Sequence, residues 1–237
     1  MKVLRYTRRL TGIIEKHCME AGQAMNGQIK TVTEQIYQEI RNAIIRQEIA
    51  PGEKLTIKML HERYGVSSSP IREALTRLQQ DGLIVYRPNI GMRVIQLTRK
   101  DVEEIYDMIT ELDSAAMRFA MKKPDADACL SDLRKIQQEM QTTQDFQRWQ
   151  QLSDDFHQIF YKYADNSRLN DASRRILLQL TILSMQYEQK AENREEISQG
   201  HQKILDALTK GSLQEADRLL RDHLEASRQK ALDAIGE

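Results

Sequence analysis

Three histidines lie on the apolar faces of predicted helices in the second half of this 237-residue chain. Phe160 and Tyr161 follow His157 at helical spacing, and His201 and His223 lie on the apolar stripes of two later helices. One inward histidine is more often a hydrogen-bonded core residue than a ligand. Three converging neutral imidazoles are costly to bury unless Zn²⁺ or a similar ion accepts their lone pairs. The pattern therefore predicts a metal site made by these three histidines, with a packed histidine core as the alternative.

A second chemically informative stretch is GVSSSPIREALTRLQQDGL, residues 65–83. Ser67, Ser68 and Ser69 precede Arg72 at the start of a predicted helix. In a helix-turn-helix the second helix lies in the major groove, and its N-terminal residues meet the base edges. Arg72 can bind guanine with two hydrogen bonds or bind phosphate, whereas a serine hydroxyl donates or accepts and discriminates poorly between bases. We therefore expect this helix to read DNA.

The elements around the serines have the layout of a winged helix-turn-helix. Apolar periodicity predicts a helix over residues 31–47, a break at Pro51-Gly52, a short helix from Ile57 to Tyr64, and a third helix that ends at Gly82. LIVYR and MRVIQL then read as two strands around PNIG. Ser67 is expected to cap the third helix. Glu73 is expected to pair within the domain, and Arg77 to be a solvated charge or a phosphate contact.

The pattern from residue 98 onward is helical throughout. TRKD at residues 98–101 is a capping box, and further helices are predicted over about 126–142, 146–164, 168–190, 195–209 and 213–234, with breaks at DNS, ENRE and TKGS. The fold class is therefore mainly α. We expect an N-terminal arm (1–30), a winged helix-turn-helix (31–97) and a C-terminal all-α helical bundle (98–237).

Composition limits the class of protein and its compartment. The charges sum to +4 over residues 1–30, +2 over 31–96 and −6 over 97–237, which indicates an anion-binding head on an acidic body. No apolar run approaches the roughly 20 residues of a membrane span, and no signal peptide is recognised, so a cytoplasmic protein is expected. Cys18 and Cys129 have no metal or redox spacing and are interpreted as reduced, structural or incidental.

The first domain resembles the DNA-binding domain of the GntR family of bacterial transcription regulators. The resemblance rests on the Pro-Gly-x-x-Leu turn, GVS, PIREAL..L...GL and the wing RPNIG..V, within residues 31–97. The family usually has an arginine that reads guanine directly after VS, and this chain has Ser68 there. The resemblance implies DNA contacts from the helices and from the wing: Lys58, Ser67, Ser68, Ser69, Arg72, Asn89 and Gly91. A winged helix that binds protein instead is the alternative.

The second domain resembles the FCD effector domain of the FadR-type subfamily, through DDFHQIFYKYADNSRL, GHQKILDAL and ADRLLRDHL. Many members bind a metal there through an aspartate and a histidine one turn apart, plus two later histidines. The three histidines match, but the aspartate position is Ser153, and Asp154 points about 100° away on an ideal helix. The resemblance implies a divalent metal such as zinc, with Ser153 or Asp154 as the candidate fourth ligand. A weaker site or an empty pocket are the alternatives.

The effector pocket is predicted around Tyr106 and Ile109. Members often carry an arginine that grips a carboxylate at the position of Ile109, so its absence disfavours the usual small organic acid or requires a different grip. Core packing explains Tyr106 equally well.

These features together predict a transcription regulator, a repressor on the family's habit, rather than an enzyme. It would bind a double-stranded DNA operator as a homodimer, since a two-fold pair of reading heads matches a pseudo-palindromic site. A small-molecule effector in the bundle would control operator affinity. The alternatives are a metal-dependent hydrolase that uses the three-histidine site and a DNA-architecture protein without sequence preference.

Overall fold

The computed structural model describes residues 31–235, so the predicted arm at residues 1–30 and the cysteine Cys18 lie outside the described residues. Within that range the chain forms a small winged-helix unit followed by a larger helical bundle, which confirms the predicted fold class. None of the helices in this part of the chain is long and apolar enough to cross a bilayer.

The N-terminal unit contains three helices and a three-stranded sheet, in the order α1 (Val32–Ile45), β1 (Lys54–Leu55), α2 (Ile57–Tyr64), α3 (Ser68–Gln80), β2 (Ile84–Arg87) and β3 (Gly91–Val94). Thr31 and Thr56 cap α1 and α2 through their side-chain oxygens, and Gly65 ends α2 in the left-handed conformation at φ 68°. Apolar side chains from the three helices and the sheet form one core.

The sheet has one strand more than the predicted ribbon. β3 lies in the middle, with β2 on one side and β1 on the other, both antiparallel, and Leu55 is opposite Met92. A two-residue strand is too short to show an alternating pattern, so β1 could not be predicted from the sequence. At the wing tip, Asn89 adopts φ 64° and Gly91 φ 93°, values that asparagine and glycine tolerate best.

The C-terminal unit is a bundle of six helices: α4 (Arg99–Ala120), α5 (Ala126–Thr142), α6 (Phe146–Ala164), α7 (Ser167–Tyr187), α8 (Ala191–Thr209) and α9 (Leu213–Ile235). The predicted capping box at the start of α4 is present, with the Thr98 hydroxyl and the Asp101 carboxylate each bonded to the other's backbone N–H. Cys129 is buried in this core, and burial raises the pKa of its thiol to about 12.

The predicted break at ENRE was wrong. These residues, 192–195, lie inside α8, and the chain turns before them, at 188–190. Asn193 donates its side-chain N–H to the carbonyl of Tyr187, and Arg194 donates to those of Glu188 and Gln189. The polar side chains that resembled a loop therefore satisfy the exposed carbonyls at the end of α7.

Helix α7 belongs to both units, because it has two apolar faces. Leu183 and Tyr187 lie in the bundle core, while Ile182, 5% exposed, completes the core of the winged-helix unit. Leu178 and Met185, one turn on either side of Ile182, pack against the same winged-helix core. The two units are thus joined by a continuous helix and a shared apolar contact.

An ion pair and a close packing contact support this junction at the end of α3. The buried carboxylate of Asp81 accepts a hydrogen bond from the Tyr37 hydroxyl at 2.6 Å and pairs with Arg174 of α7 at 3.0 Å. Arg175, also on α7, packs directly over Gly82. The C-terminal end of the predicted DNA-reading helix is therefore held against the bundle.

Candidate metal centre and DNA interface

The three predicted histidines converge in the bundle core. His157 comes from α6, His201 from α8 and His223 from α9, and one ring nitrogen of each lies within 4.8 Å of the others. His157 Nε2 and His201 Nε2 are 3.2 Å apart. Tetrahedral Zn–N bonds of about 2.0–2.1 Å would place neighbouring nitrogens about 3.3 Å apart. The histidine set therefore has a spacing that a zinc-sized ion could close with small movements.

Burial keeps two of these rings in the neutral form that a metal requires. Burial and then the neighbouring His223 and His157 hold the pKa of His201 well below its usual range. Burial and then His157 lower the pKa of His223 to about 3. His201 is also stacked on Phe156, with ring centroids 4.0 Å apart and planes 5° from parallel. Near neutral pH these imidazoles carry free lone pairs rather than charge.

Asp113 on α4 orients the first histidine. This fully buried carboxylate accepts a hydrogen bond from His157 Nδ1 at 2.8 Å and one from the Tyr161 hydroxyl at 2.6 Å. Since a carboxylate only accepts, the His157 proton resides on Nδ1 and the Nε2 lone pair points toward His201. Such a carboxylate–histidine pair is the usual support of a metal-ligating imidazole.

Gly200 makes room for His223. A Cβ at this position would lie 2.5 Å from His223 Nδ1, so the ring could not keep its place beside α8 with any other residue there. The FCD pattern has glutamate directly before the second histidine, and this chain departs from it. The departure therefore has a steric reason in the packing of α8 against α9.

Both candidate fourth ligands border the histidines. Ser153, Asp154, His157 and His223 line one cavity of about 30 Å³ between α6, α7 and α9. Ser153 donates its hydroxyl to Glu188 Oε1 at 3.4 Å, and Asp154 accepts from the Thr181 hydroxyl at 3.1 Å. The carboxylate of Asp154 does not join the three histidines in one mutual 4.8 Å group of ligand atoms.

Two acids face this cavity, the buried Glu188 and the half-buried Asp154. Burial raises the pKa of Asp154 to about 6, although its bond to Thr181 opposes the shift. Burial and then the charge of Asp154 raise the pKa of Glu188 to about 8, although its hydrogen bond from Ser153 opposes the shift. A bound cation would favour the ionised form of either group.

The predicted effector residues lie in different surroundings. Tyr106 lines the small cavity, with its hydroxyl 3.1 Å from that of Tyr187. Ile109 is fully buried in the apolar core of the bundle.

The predicted DNA contacts lie on the surface of the winged-helix unit. Ser67, Ser68, Ser69 and Arg72 are exposed at the N-terminal end of α3, and Lys58 is exposed on α2. In the wing, Asn89 is exposed and Gly91 partly so. The first turn of α3 therefore presents three hydroxyls and one guanidinium beside free backbone N–H groups, which favour phosphate.

The neighbouring charges on α3 are engaged within the domain. Glu73 accepts from Ser69 and Thr33, as predicted, at 3.3 and 2.9 Å. Arg77 is bound to Glu34 and lies 4.1 Å from the centroid of the Tyr37 ring, two contacts within the domain that its sequence position did not indicate. Ser67 occupies the N-cap position, but its side chain makes no capping hydrogen bond, which corrects the predicted cap.

Two family descriptions cover most of the chain. Residues 32–94 match bacterial regulatory proteins of the gntR family, and residues 104–226, more than half of the chain, match the FCD domain. The chain belongs to the GntR family. The Bacillus subtilis (strain 168) HTH-type transcriptional regulator YdhC is 30% identical over 142 residues, which cover 58% of this chain and 62% of YdhC.

A second GntR relative is named as a repressor. The Escherichia coli (strain K12) HTH-type transcriptional repressor RspR is 31% identical over 139 residues, which cover 56% of this chain and 60% of RspR. The chain thus spans about three fifths of the length of these two relatives. A GntR transcriptional regulator from Rhodococcus sp. RHA1 has the same fold, with a TM-score of 0.71 at 21% identity, over 85% of this chain and 98% of that one.

Two buried acids beside the histidines were missed in the sequence. Asp113 does carry a signal, because it continues the apolar stripe of Ile105 and Ile109 by one turn, and a charged residue on a buried face needs a partner. Glu188 carries none. It lies at the end of α7, and only the packing of that end against α6 turns its side chain inward.

Proposed function

We propose that this GntR-family protein is a cytoplasmic transcription regulator, a repressor, that binds a double-stranded DNA operator sequence-specifically as a homodimer. A small-molecule effector in the helical domain controls operator affinity, with a divalent metal, zinc in the first instance, as its anchor. The observation that carries the proposal is the three-histidine cluster, in a bundle whose helix α7 also completes the winged-helix core.

The donor set fits a divalent ion. Neutral nitrogens of His157, His201 and His223 would hold it, and Asp113 fixes the His157 tautomer. The buried His201 Nδ1 has no hydrogen-bond partner among the described residues, so the burial of this edge of the ring carries a free-energy cost. An ion held by three imidazoles would supply a coordination position for an oxygen of the effector.

A surface groove gives access to the histidines. It has a volume of about 260 Å³, lies between α8 and α9, and shares Ile197, His223 and Ser227 with the small inner cavity. Lys203 and Lys230 line the groove together with Glu196 and Asp222, and Lys230 is paired with Glu196. The two acids balance the charge of the two lysines, and Lys203 offers a carboxylate a grip other than the arginine that Ile109 replaces.

Helix α7 is suited to carry the response to the DNA-binding unit. Thr181 bonds Asp154 at the cavity, and the next residue, Ile182, lies in the winged-helix core. An effector that binds one arrangement of α7 more tightly would shift the position of the DNA-reading helices. A ligand with equal affinity for both arrangements would change nothing.

The alternatives have less support. The relatives are named as transcriptional regulators, which disfavours a metal-dependent hydrolase. A DNA-architecture protein would need no histidine cluster beside a surface groove. It would also bind DNA without sequence preference.

The DNA-binding part is tested with a duplex selected from random-sequence DNA by the purified protein. We expect Arg72→Ala to weaken binding to that duplex about 10- to 100-fold, because one good two-bond base contact contributes about 1–3 kcal/mol of discrimination. Arg148→Ala removes the same charge from the bundle, where Arg148 pairs with Glu139. Equal affinities of the two variants would contradict a reading role for Arg72.

The metal part is tested by elemental analysis of tag-free protein after incubation with zinc, manganese and nickel and removal of free ion. About one ion per chain is expected for the wild type, and far less for His223→Ala, since three ligands become two. A substoichiometric trace in the wild type with all three ions would refute the metal centre and leave the DNA-binding part untouched.

A further inference from the structure

Glu188 is a buried acid, and one oxygen of its carboxylate has no partner among the described residues. The residue is 3% exposed and lies at the turn between α7 and α8. Oε1 accepts a hydrogen bond from Ser153, while Oε2 is fully buried and has no hydrogen-bond partner among the described residues. A buried carboxylate oxygen without a donor is costly, so such an atom in a native fold calls for an occupant.

The unfilled oxygen belongs to a group at the histidine site. Glu188 lines the 30 Å³ cavity together with His157 and His223. Its carboxylate, like that of Asp154, lies outside the group of ligand atoms within 4.8 Å that the three histidines form, so coordination requires the side chain to move toward them. A cavity of this size holds one water molecule or one small ion, and not an organic ligand. The occupant that suits a carboxylate oxygen and imidazole nitrogens together is a divalent cation.

The partner of Glu188 is the residue that departs from the FCD pattern. Where the pattern has aspartate, this chain has Ser153, whose short side chain leaves space and donates its hydroxyl to Glu188. Asp154, the other acid at the cavity, already accepts from Thr181. The position of the carboxylate missing from α6 is therefore in hydrogen-bond contact with a carboxylate from the end of α7.

We propose that Glu188 supplies the carboxylate of this metal site, in the role that the aspartate at position 153 would have. The inference rests on the proposed metal centre and names its fourth protein ligand, so an oxygen of the effector would add as a fifth ligand. Coordination from the end of α7 also attaches the site directly to the helix that holds Ile182 in the winged-helix core. Metal occupancy and the position of α7 are then coupled.

The test is the zinc affinity of metal-free, full-length protein, measured by competition with a chromophoric chelator. Glu188→Gln should bind zinc at least about 10- to 100-fold more weakly than the wild type, the loss seen when even a supporting residue of a metal site is changed. Glu192→Gln, an exposed glutamate in the first turn of α8, is the matched control and should bind as the wild type does. The absorption spectrum of the Co²⁺ form should change in Glu188→Gln, because one oxygen ligand is lost.

A rescue variant separates coordination from folding. Ser153→Asp combined with Glu188→Gln returns a carboxylate to the α6 position and should regain most of the zinc affinity. A purely structural Glu188 would not be rescued in this way.

Unchanged zinc affinity and an unchanged Co²⁺ spectrum in Glu188→Gln would overturn the inference. So would a loss confined to Asp154→Asn, which would assign the ligand to Asp154. Absence of zinc binding by the wild type would instead refute the metal centre on which the inference rests.

Discussion

Asp113 has the clearest supporting role in the histidine cluster, because it accepts from both His157 and Tyr161 while fully buried. Asp113→Asn keeps the shape but can accept fully from only one of these donors. We expect zinc affinity to fall about 10- to 100-fold and the free energy of unfolding of the metal-free protein to fall by about 1–3 kcal/mol.

Chelator competition and urea denaturation measure the two effects of this substitution. Glu103→Gln, on the exposed face of the same helix, is the control and should change neither quantity. A wild-type zinc affinity in Asp113→Asn would show that the carboxylate does not orient the site.

The lowered pKa of His223 predicts a pH dependence of stability. In the unfolded chain an imidazole titrates near its usual pKa of about 6.5, whereas in the folded, metal-free protein that of His223 is about 3. Between these values the unfolded chain binds a proton that the folded one does not, so this group destabilises the fold increasingly as pH falls.

The measurement is urea denaturation of the wild type and of His223→Asn from pH 7.5 to 4.5, with chelator present. The unfolding free energy of the wild type should fall more steeply below about pH 6.5, by at most about 1.4 kcal/mol for each pH unit. A difference between the two proteins that stays constant over this range would contradict the buried, neutral state of His223.

The histidine cluster could be predicted from the sequence, because three histidines at helical spacing on apolar faces must point inward. The supporting acids could not be predicted as a set. Periodicity shows that Asp113 is buried, but it does not show that its carboxylate on α4 binds the His157 ring on α6. Glu188 reaches Ser153 from 35 positions further along the chain, and only the packing of α7 on α6 brings them together.

At the scale of elements, α7 is the part of the molecule on which communication between the two units depends. Ile182 and Leu183 are neighbours of similar burial, 5% and 1% exposed, but they belong to different cores. They therefore form a matched pair of substitutions. Each large-to-small change should cost about 2–5 kcal/mol, but in different units.

Hydrogen exchange followed by mass spectrometry separates the two effects. Ile182→Ala should increase exchange mainly in α1, α2 and α3, and Leu183→Ala mainly in α4–α9, because local opening follows the core that is damaged. The same exchange pattern for both variants would mean that α7 does not join two separable cores.

Most helix ends were readable from the sequence through their caps, such as Thr56, Gly65 and the Thr98–Asp101 box. The end of α7 and the start of α8 could not be predicted in this way. Asn193 and Arg194 look like loop residues, but their side chains donate hydrogen bonds to carbonyls at the end of α7. The packing of α7 against both cores could not be predicted from the sequence either. Periodicity shows that Ile182 is buried, but not which unit buries it.

At the scale of the whole molecule, α3 links the proposed DNA contact to the bundle. Its first turn would contact the operator, and its last turn contacts the bundle. The exposed first turn, with Ser68 and Arg72, faces outward, while Asp81 at the far end pairs with Arg174 of α7. Movement of α7 would therefore reorient the helix that reads DNA. In a dimer, two such helices must match the half-site spacing of one operator, so small rotations have large effects on affinity.

The most direct test of this account is the ratio of affinities for a selected duplex and for a scrambled duplex of equal length, at physiological salt. A sequence-specific regulator should bind the selected duplex at least about 10³-fold more tightly, with two chains on each two-fold-symmetric site. Salt must be held constant, because phosphate contacts alone make affinity strongly salt-dependent. Equal affinity for the two duplexes would contradict the account, and would show that the serine-rich helix holds DNA without reading it.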